Sequence, residues 1–408
     1  MHILIYLCLA TYFSFYLFEG PIRYGLNAIG ADYLIFIRDL LLVLALSVGI
    51  IIRQRLKQKL HPAFYIFAII ILIHGFISLV NIGSAFVIFY CIKLLFTALA
   101  GAVLAPYLMN PPKQVVLVVL ALFIITFIGV LIDKYDFIEY PWTGLKATMG
   151  EIQVDISRDW DISGADKRAG GLMRSSINVA IVTPLLAFIL LFNIRSLLGR
   201  IIIMLVTVMI LYCSTQKASI LAFAFVCGLL LAFHKRPIPA LKIGISFAFV
   251  LMVVLPILLP QFIMPNDQGV FSLKSFYMRV EDVWPKAWLW IERKEVFPFG
   301  IGLGGIGGAQ RFYSEEYFSP ADNMFIFLYA YFGLLSFVYM GWLWWRCMRV
   351  SDKQSSSTIH ALSIVMFITF YGIAMSMIED QMVTLFLGAA TAWIASNHVK
   401  NELKNKPV

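Results

Sequence analysis

Arginines set beside glycine are the residues of this chain best suited to hold a phosphorylated ligand. Lys167-Arg168-Ala169-Gly170-Gly171-Leu172-Met173-Arg174 places two forked guanidinium groups around a Gly-Gly pair, directly before an apolar run. Arginine's planar donors match phosphate oxygens two at a time. A cation anchoring a helix end accounts for one such charge, whereas three cations at one helix mouth favour anion binding. Ser214-Thr215-Gln216-Lys217 joins two further apolar runs and ends on another cation. In the segment that carries Arg279 and Arg293, Phe276, Val280, Val283, Trp284, Ala287, Trp288 and Ile291 recur at three- and four-residue steps, the spacing of one helical face. Two readings fit that face. Either it packs on neighbouring helices, or it lies at the outer leaflet with Trp284 and Trp288 at headgroup depth, guiding a lipid-linked substrate. Pro285 should start or kink a helix here.

Phe297-Pro298-Phe299-Gly300-Ile301-Gly302-Leu303-Gly304-Gly305-Ile306-Gly307-Gly308 follows, with Arg311 just beyond. Gly300, Gly302 and Gly305 match a dinucleotide fingerprint literally, but no alternation of strand and helix surrounds them. The segment is expected to be a turn of close backbone approach or a substrate-contacting loop whose N–H groups meet an anion. Asp322-Asn323 then opens an apolar run. An aspartate there is either an N-cap or a carboxylate available as a general base. Arg38-Asp39 and Lys93 fall inside apolar runs, the first as an internally neutralised pair. Glu379-Asp380 is expected to stay solvated in a short turn. The five Cys and six His form no ligand pattern, so neither a metal nor a cofactor is expected.

These groups need a scaffold, and the composition names its class. Of 408 residues, 61% are hydrophobic and 13% charged, against roughly 45–50% and 25% in soluble domains. Runs long enough to cross a bilayer, or nearly so, occupy 1–18, 32–52, 62–82, 84–105, 114–132, 177–193, 200–213, 218–233, 241–260, 321–345, 359–378 and 381–396. The first lacks the basic start and cleavage site of a signal peptide and is taken as a retained span. Arg53, Arg55, Lys113, Arg195, Arg200, Lys235, Arg236, Arg346 and Arg349 fall in alternate short loops, while the opposite short loops hold only Arg23 and Lys217. The positive-inside rule then puts both termini in the cytoplasm. Two long connections, 133–176 and 261–320, face outward and hold cations that the rule does not explain. The expected fold is all-α: a polytopic membrane bundle of about twelve spans, whose two long outer loops contain short helices.

The order of these features resembles the O-antigen polymerase and ligase superfamily, membrane glycosyltransferases of a GT-C-like kind. The similar segments are Arg168–Ala180, Thr215–Lys217, Arg279–Trp288, Pro298–Gly302 and Asp322-Asn323, covering about 165–340. Lys217 stands where the family often has arginine, and Asp322 where ligases carry histidine, which tilts the resemblance towards a polymerase. It implies an undecaprenyl-diphosphate-linked glycan as donor and a lipid-linked repeat unit as acceptor. The partners are those lipids, the surrounding membrane and a candidate chain-length regulator, with no nucleic acid. Arg168, Arg174, Lys217 and Arg279 are the implied diphosphate clamp, with Arg293 and Arg311 behind them. Asp322 is the base, and Gly300, Gly302, Asn323, Trp284 and Trp288 line the substrate loop. The setting is the bacterial inner membrane, with the site on its periplasmic face. The rivals are a ligase with a lipid A-core acceptor and, from another class, a lipid-linked glycan transporter. No repeat between the two halves favours a transporter.

Overall fold

The computed structural model describes residues 1–57, 62–149, 152–155, 167–259, 273–352 and 355–404. Parts of both long connections, including Arg158, therefore lie outside the described residues. Each apolar run contains helix: α1 (His2–Leu17), α2 (Glu19–Ala28), α3 (Ile37–Arg55), α4 (Pro62–Ile82), α5 (Ala85–Met109), α6 (Lys113–Lys134), α7 (Ser176–Asn193), α8 (Leu197–Cys213), α9 (Lys217–Ala232) and α10 (Pro237–Leu258). After them come α11 (Lys274–Met278), α12 (Trp284–Arg293), α13 (Met324–Phe332), α14 (Leu335–Met348), α15 (Ser356–Tyr371) and α16 (Gln381–Lys404). By length and composition, six described helices can cross a membrane: α3 with the turn before it, α4, α5, α6, α7 and α10. Helices α1 and α2, bent by 80° at Phe18, make a seventh if they count as one broken span. Helices α8, α9, α15 and the Gln381–Ser396 part of α16 are apolar but shorter. This is the architecture of a helical, membrane-embedded protein.

The chain divides into two compact units, Met1–Lys59 with Val103–Cys227, and Leu60–Ala102 with Gly228–Val408. In the first, α1 packs on α3, and α7 packs on α6 and α8. Helix α7 is apolar all round, as a helix at the centre of a bundle must be, and Val179 through Leu191 are buried. Ser175 caps it, accepting from the N–H of Asn178. The first long connection departs from the short helices expected of it: Lys146–Met149 (β1) and Ile152–Asp155 (β2) pair antiparallel, Lys146 opposite Asp155. The β-branched Thr148, Ile152 and Val154 suit extended backbone better than helix.

In the second unit α15 lies between α10 and α16, with Ala361 through Ile368 fully buried. Helices α5 and α16 approach through glycine: a Cβ on Gly101 would overlap the carbonyl oxygen of Leu385, and one on Gly388 that of Ala98. Small residues are how helices gain van der Waals contact where no water drives them together. The hydroxyls of Thr97 and Thr384 bond to each other at the same seam. Two expected spans stop short. The run 321–345 breaks at Gly333, whose φ is +54, and 359–378 ends as helix at Tyr371, followed by turns and a 3-10 turn at Met377–Glu379.

Candidate functional site

Helices α11 and α12 are joined by a π-helical turn at Arg279–Val283. Pro285 explains the widening. It has no N–H to donate, and its ring presses on the carbonyl four residues earlier. Val280, Trp284, Ala287, Trp290 and Ile291 form the buried face. Trp284 is wholly buried and donates its indole N–H to the backbone oxygen of Asp322 at 3.3 Å. Trp288 donates to the oxygen of Pro256 at 3.2 Å. Both tryptophans are thus hydrogen-bonded to neighbouring backbone, Trp284 within the packed face and Trp288 half-buried beside it.

That packing brings Arg279 to Asp322. The Nε of Arg279 lies 3.1 Å from Oδ2 of Asp322, with the two side chains 21% and 20% exposed. The guanidinium also donates to the carbonyl of Ser275 at 2.8 Å. Asp322 does not cap α13; Asn323 does, its Oδ1 accepting from the N–H groups of Phe325 and Ile326. The amide of Asn323 donates to the carbonyls of Met252 and Ile373 at 3.1 and 3.0 Å, so four bonds hold one buried side chain. Ala321 and Asp322 both have positive φ, +60 and +41, a region that costs non-glycine residues roughly 1–3 kcal/mol each. The strain turns the Asp322 carboxylate away from the cap and towards Arg279. Burial pushes its pKa up, and the charge and hydrogen bonding of Arg279 pull it partly back.

The glycine segment is interior. Gly300 and Gly302 are buried, and a Cβ on either would strike backbone, at Gly333 and Ala330 for the first and at Ser78 for the second. The N–H of Ile301 donates to Ala330 at 2.7 Å, and Leu334 donates to Pro298 at 2.9 Å. The loop thus satisfies the backbone groups freed where the helix breaks between α13 and α14. The amide of Asn81 donates to Ile301 from α4 at 3.0 Å, and Ser78 donates to Leu303. The N–H of Gly308 does meet an anion, but it is the protein's own Glu379, which also accepts from Ser376 at 2.9 Å. The turn at Glu379-Asp380 is therefore not simply solvated. Asp380 caps α16 through the N–H of Met382 at 2.7 Å. Arg293 lies 4.7 Å over the ring of Tyr317, and Arg311 lies 4.1 Å over that of Phe318, both side chains exposed.

The first unit holds the other candidate cations. Arg168 and Arg174 are half-buried, and Lys217 is exposed as the first residue of α9. A positive charge at that end opposes the helix dipole. The Gly170-Gly171 turn between the arginines already holds a carboxylate: both N–H groups donate to Oδ2 of Asp133 at 2.7 Å. Lys167 lies 3.1 Å from Asp133 and also pairs with Asp136. Arg38 does pair with Asp39, at 3.8 Å, and lies nearer still to Glu19, at 3.3 Å. Arg23 joins Glu19 at 2.7 Å, and Arg174 acts on the same carboxylate.

Asp133 and Glu19 were not singled out in the sequence, and Glu379 was expected only to stay solvated. Each is an acidic residue inside or beside an apolar run, a signal that would have flagged them as partners for the nearby cations and glycines. Among the described residues no group of His, Cys, Asp and Glu is arranged to hold a metal ion. Compared with family models, curated proteins and solved structures, the chain matches none.

Proposed function

We propose that this protein is a membrane glycosyltransferase that polymerises undecaprenyl-diphosphate-linked repeat units into a surface polysaccharide. The observation that carries this reading is the Arg279–Asp322 pair, a cation and a carboxylate 3.1 Å apart, neither consumed by helix capping. In the reaction the acceptor hydroxyl attacks the anomeric carbon of the donor glycan. A new glycosidic C–O bond forms, the bond to the diphosphate oxygen breaks, and undecaprenyl diphosphate leaves with the bonding electrons. Asp322 accepts the hydroxyl proton, and Arg279 meets the charge that develops on the leaving diphosphate. Arg293 and Arg311 of the same unit are the next cations in the family pattern, which assigns similar work to Arg168, Arg174 and Lys217 of the first unit. The chain crosses the cytoplasmic membrane twelve times, with both termini inside and Asp322 opening to the outer face. Alternating loop charge and the helicity of each apolar run support that topology.

Purified protein reconstituted with synthetic lipid-linked repeats is expected to make long glycan chains on the lipid. Arg279→Ala should make none at equal membrane insertion. A smaller loss in Arg279→Lys would assign the role to charge rather than fork geometry. Unextended single repeats with the unaltered protein would sink the reading, and transfer to lipid A-core in their place would make it a ligase.

A further inference from the structure

We propose that the end of α14 binds one anionic phospholipid, its phosphate held by Arg346 and Arg349 and an acyl chain lying along the helix face that leads to them. This binding is separate from the polymerase chemistry, and the topology above puts it in the inner leaflet. Leu334, Val338, Gly341, Trp345 and Arg349 recur at four- and three-residue steps, so they share one side of the helix. All five are exposed. A Cβ on Gly341 would meet nothing within 4 Å, so the stripe dips to a trough between Val338 and Trp345. In a membrane-embedded protein an apolar face of this kind is covered by lipid tails. On the neighbouring side, the indole of Trp344 donates to the hydroxyl of Ser246 in α10 at 2.9 Å. That bond fixes the rotation of α14 and keeps the stripe turned outward.

The polar end of the stripe selects the headgroup. Arg349 lies 4.3 Å and Arg346 5.0 Å from the centroid of the Trp345 ring, and Arg346 lies 5.7 Å from that of Trp342. A guanidinium stacked on an aromatic ring is held by its face, which leaves its N–H edge for an anion. Both charges touch one indole, so they are at most about 10 Å apart, a separation that 0.1 M salt does not fully screen. Among the described residues neither has a carboxylate at ion-pair distance. Asp352, the next acid along the chain, is taken by Lys242 at 3.0 Å. A phosphate between the two guanidiniums removes their repulsion. A zwitterionic headgroup would bring a positive charge back to the same place, so a net negative lipid is favoured, as it is for basic residues at cytoplasmic helix ends.

Native mass spectrometry of the full chain in a neutral detergent, titrated with phosphatidylglycerol or phosphatidylcholine, tests this. The unaltered protein is expected to take up one phosphatidylglycerol well before further copies, and to show no such first site for phosphatidylcholine. Arg346→Gln combined with Arg349→Gln should weaken that site about thirty-fold, the scale of two cations beside an anionic headgroup. Lys235→Gln combined with Arg236→Gln removes the same charge from the exposed α9–α10 turn and should change it by less than about threefold, because distant charges are screened. Equal losses in the two double variants would make the attraction a diffuse field and overturn the site. Gly341→Leu leaves both arginines in place and fills the trough; because the position faces open space, the fold is kept. Weaker binding is expected of it, and unchanged binding would overturn the acyl track. Displacement of the lipid by inorganic phosphate at equal concentration would identify a site for free anions and overturn the phospholipid assignment.

Discussion

At the scale of single residues, two neighbours divide one helix end between them. Asn323 takes the capping work, and its amide reaches Met252 and Ile373 as well. Asp322, bent out at a φ of +41, pairs with Arg279. An aspartate would be an ordinary cap, so the pair Asp-Asn in the sequence left open which residue capped α13; the left-handed backbone decided it. Burial raises the Asp322 carboxyl above the ordinary range and Arg279 only partly offsets this. A raised carboxyl contributes stability while it is protonated, below the unfolded value, and loses that contribution as pH rises through the folded value. At neutral pH an ionised Asp322 is therefore held at a cost. Asp322→Asn is expected to keep or raise the unfolding midpoint in detergent while abolishing polymerisation, and the acid limb of the unaltered enzyme should lie above that of a solvated carboxylate, roughly 3.9. A lowered midpoint with activity kept would contradict both halves.

At the scale of elements, the glycine segment and the broken helix explain one another. Twelve residues rich in glycine announced close backbone approach, but what they approached was invisible, because the break between α13 and α14 sits within an unbroken apolar run. Helical periodicity carries no mark of Gly333, since glycine is also tolerated inside helices. The tertiary fold supplies the reason: Pro298 and Ile301 bond to the two sides of the break. The amphipathic face around Trp284 was legible in the same way, and its buried neighbours were not. Gly333→Ala should be severe. Its φ of +54 disfavours a side chain, and the added Cβ would overlap the carbonyl of Pro298. A loss of about 2 kcal/mol or more follows, visible as several degrees in thermal unfolding. Gly341→Ala, with open space around its Cα in α14, is the control and should be neutral or stabilising. Equal effects at the two positions would remove the loop from its role as the plug of the break.

For the whole molecule, hydropathy located a helix in every apolar run but not the breaks at Gly333 and after Tyr371, and the acidic partners were the other part it could not locate. Glu19, Asp133 and Glu379 each hold a cation or a glycine turn through partners 19 or more residues away in the chain, Arg38 for Glu19, Gly170 for Asp133 and Gly308 for Glu379. The outward surface agrees with an apolar solvent: α4 leaves Ile66, Ile69, Leu72, Phe76 and Val80 exposed, a row that water would not permit. At the end of α14, Arg346 and Arg349 stack 5.0 and 4.3 Å from the ring of Trp345. Cation and aromatic ring together suit a helix end at the headgroup layer, and the excess of positive charge marks it as cytoplasmic in the proposed topology. Cysteine labelling tests this directly, because all five native cysteines are buried and give little background. Glu139→Cys and Glu316→Cys, both exposed, should react with a membrane-impermeant maleimide on intact spheroplasts. Lys235→Cys, also exposed, should react only after permeabilisation. Labelling of Lys235→Cys from outside, with Glu316→Cys protected, would invert the protein in the membrane. It would also place Asp322 and Arg279 on the face that undecaprenyl-linked repeats have already left.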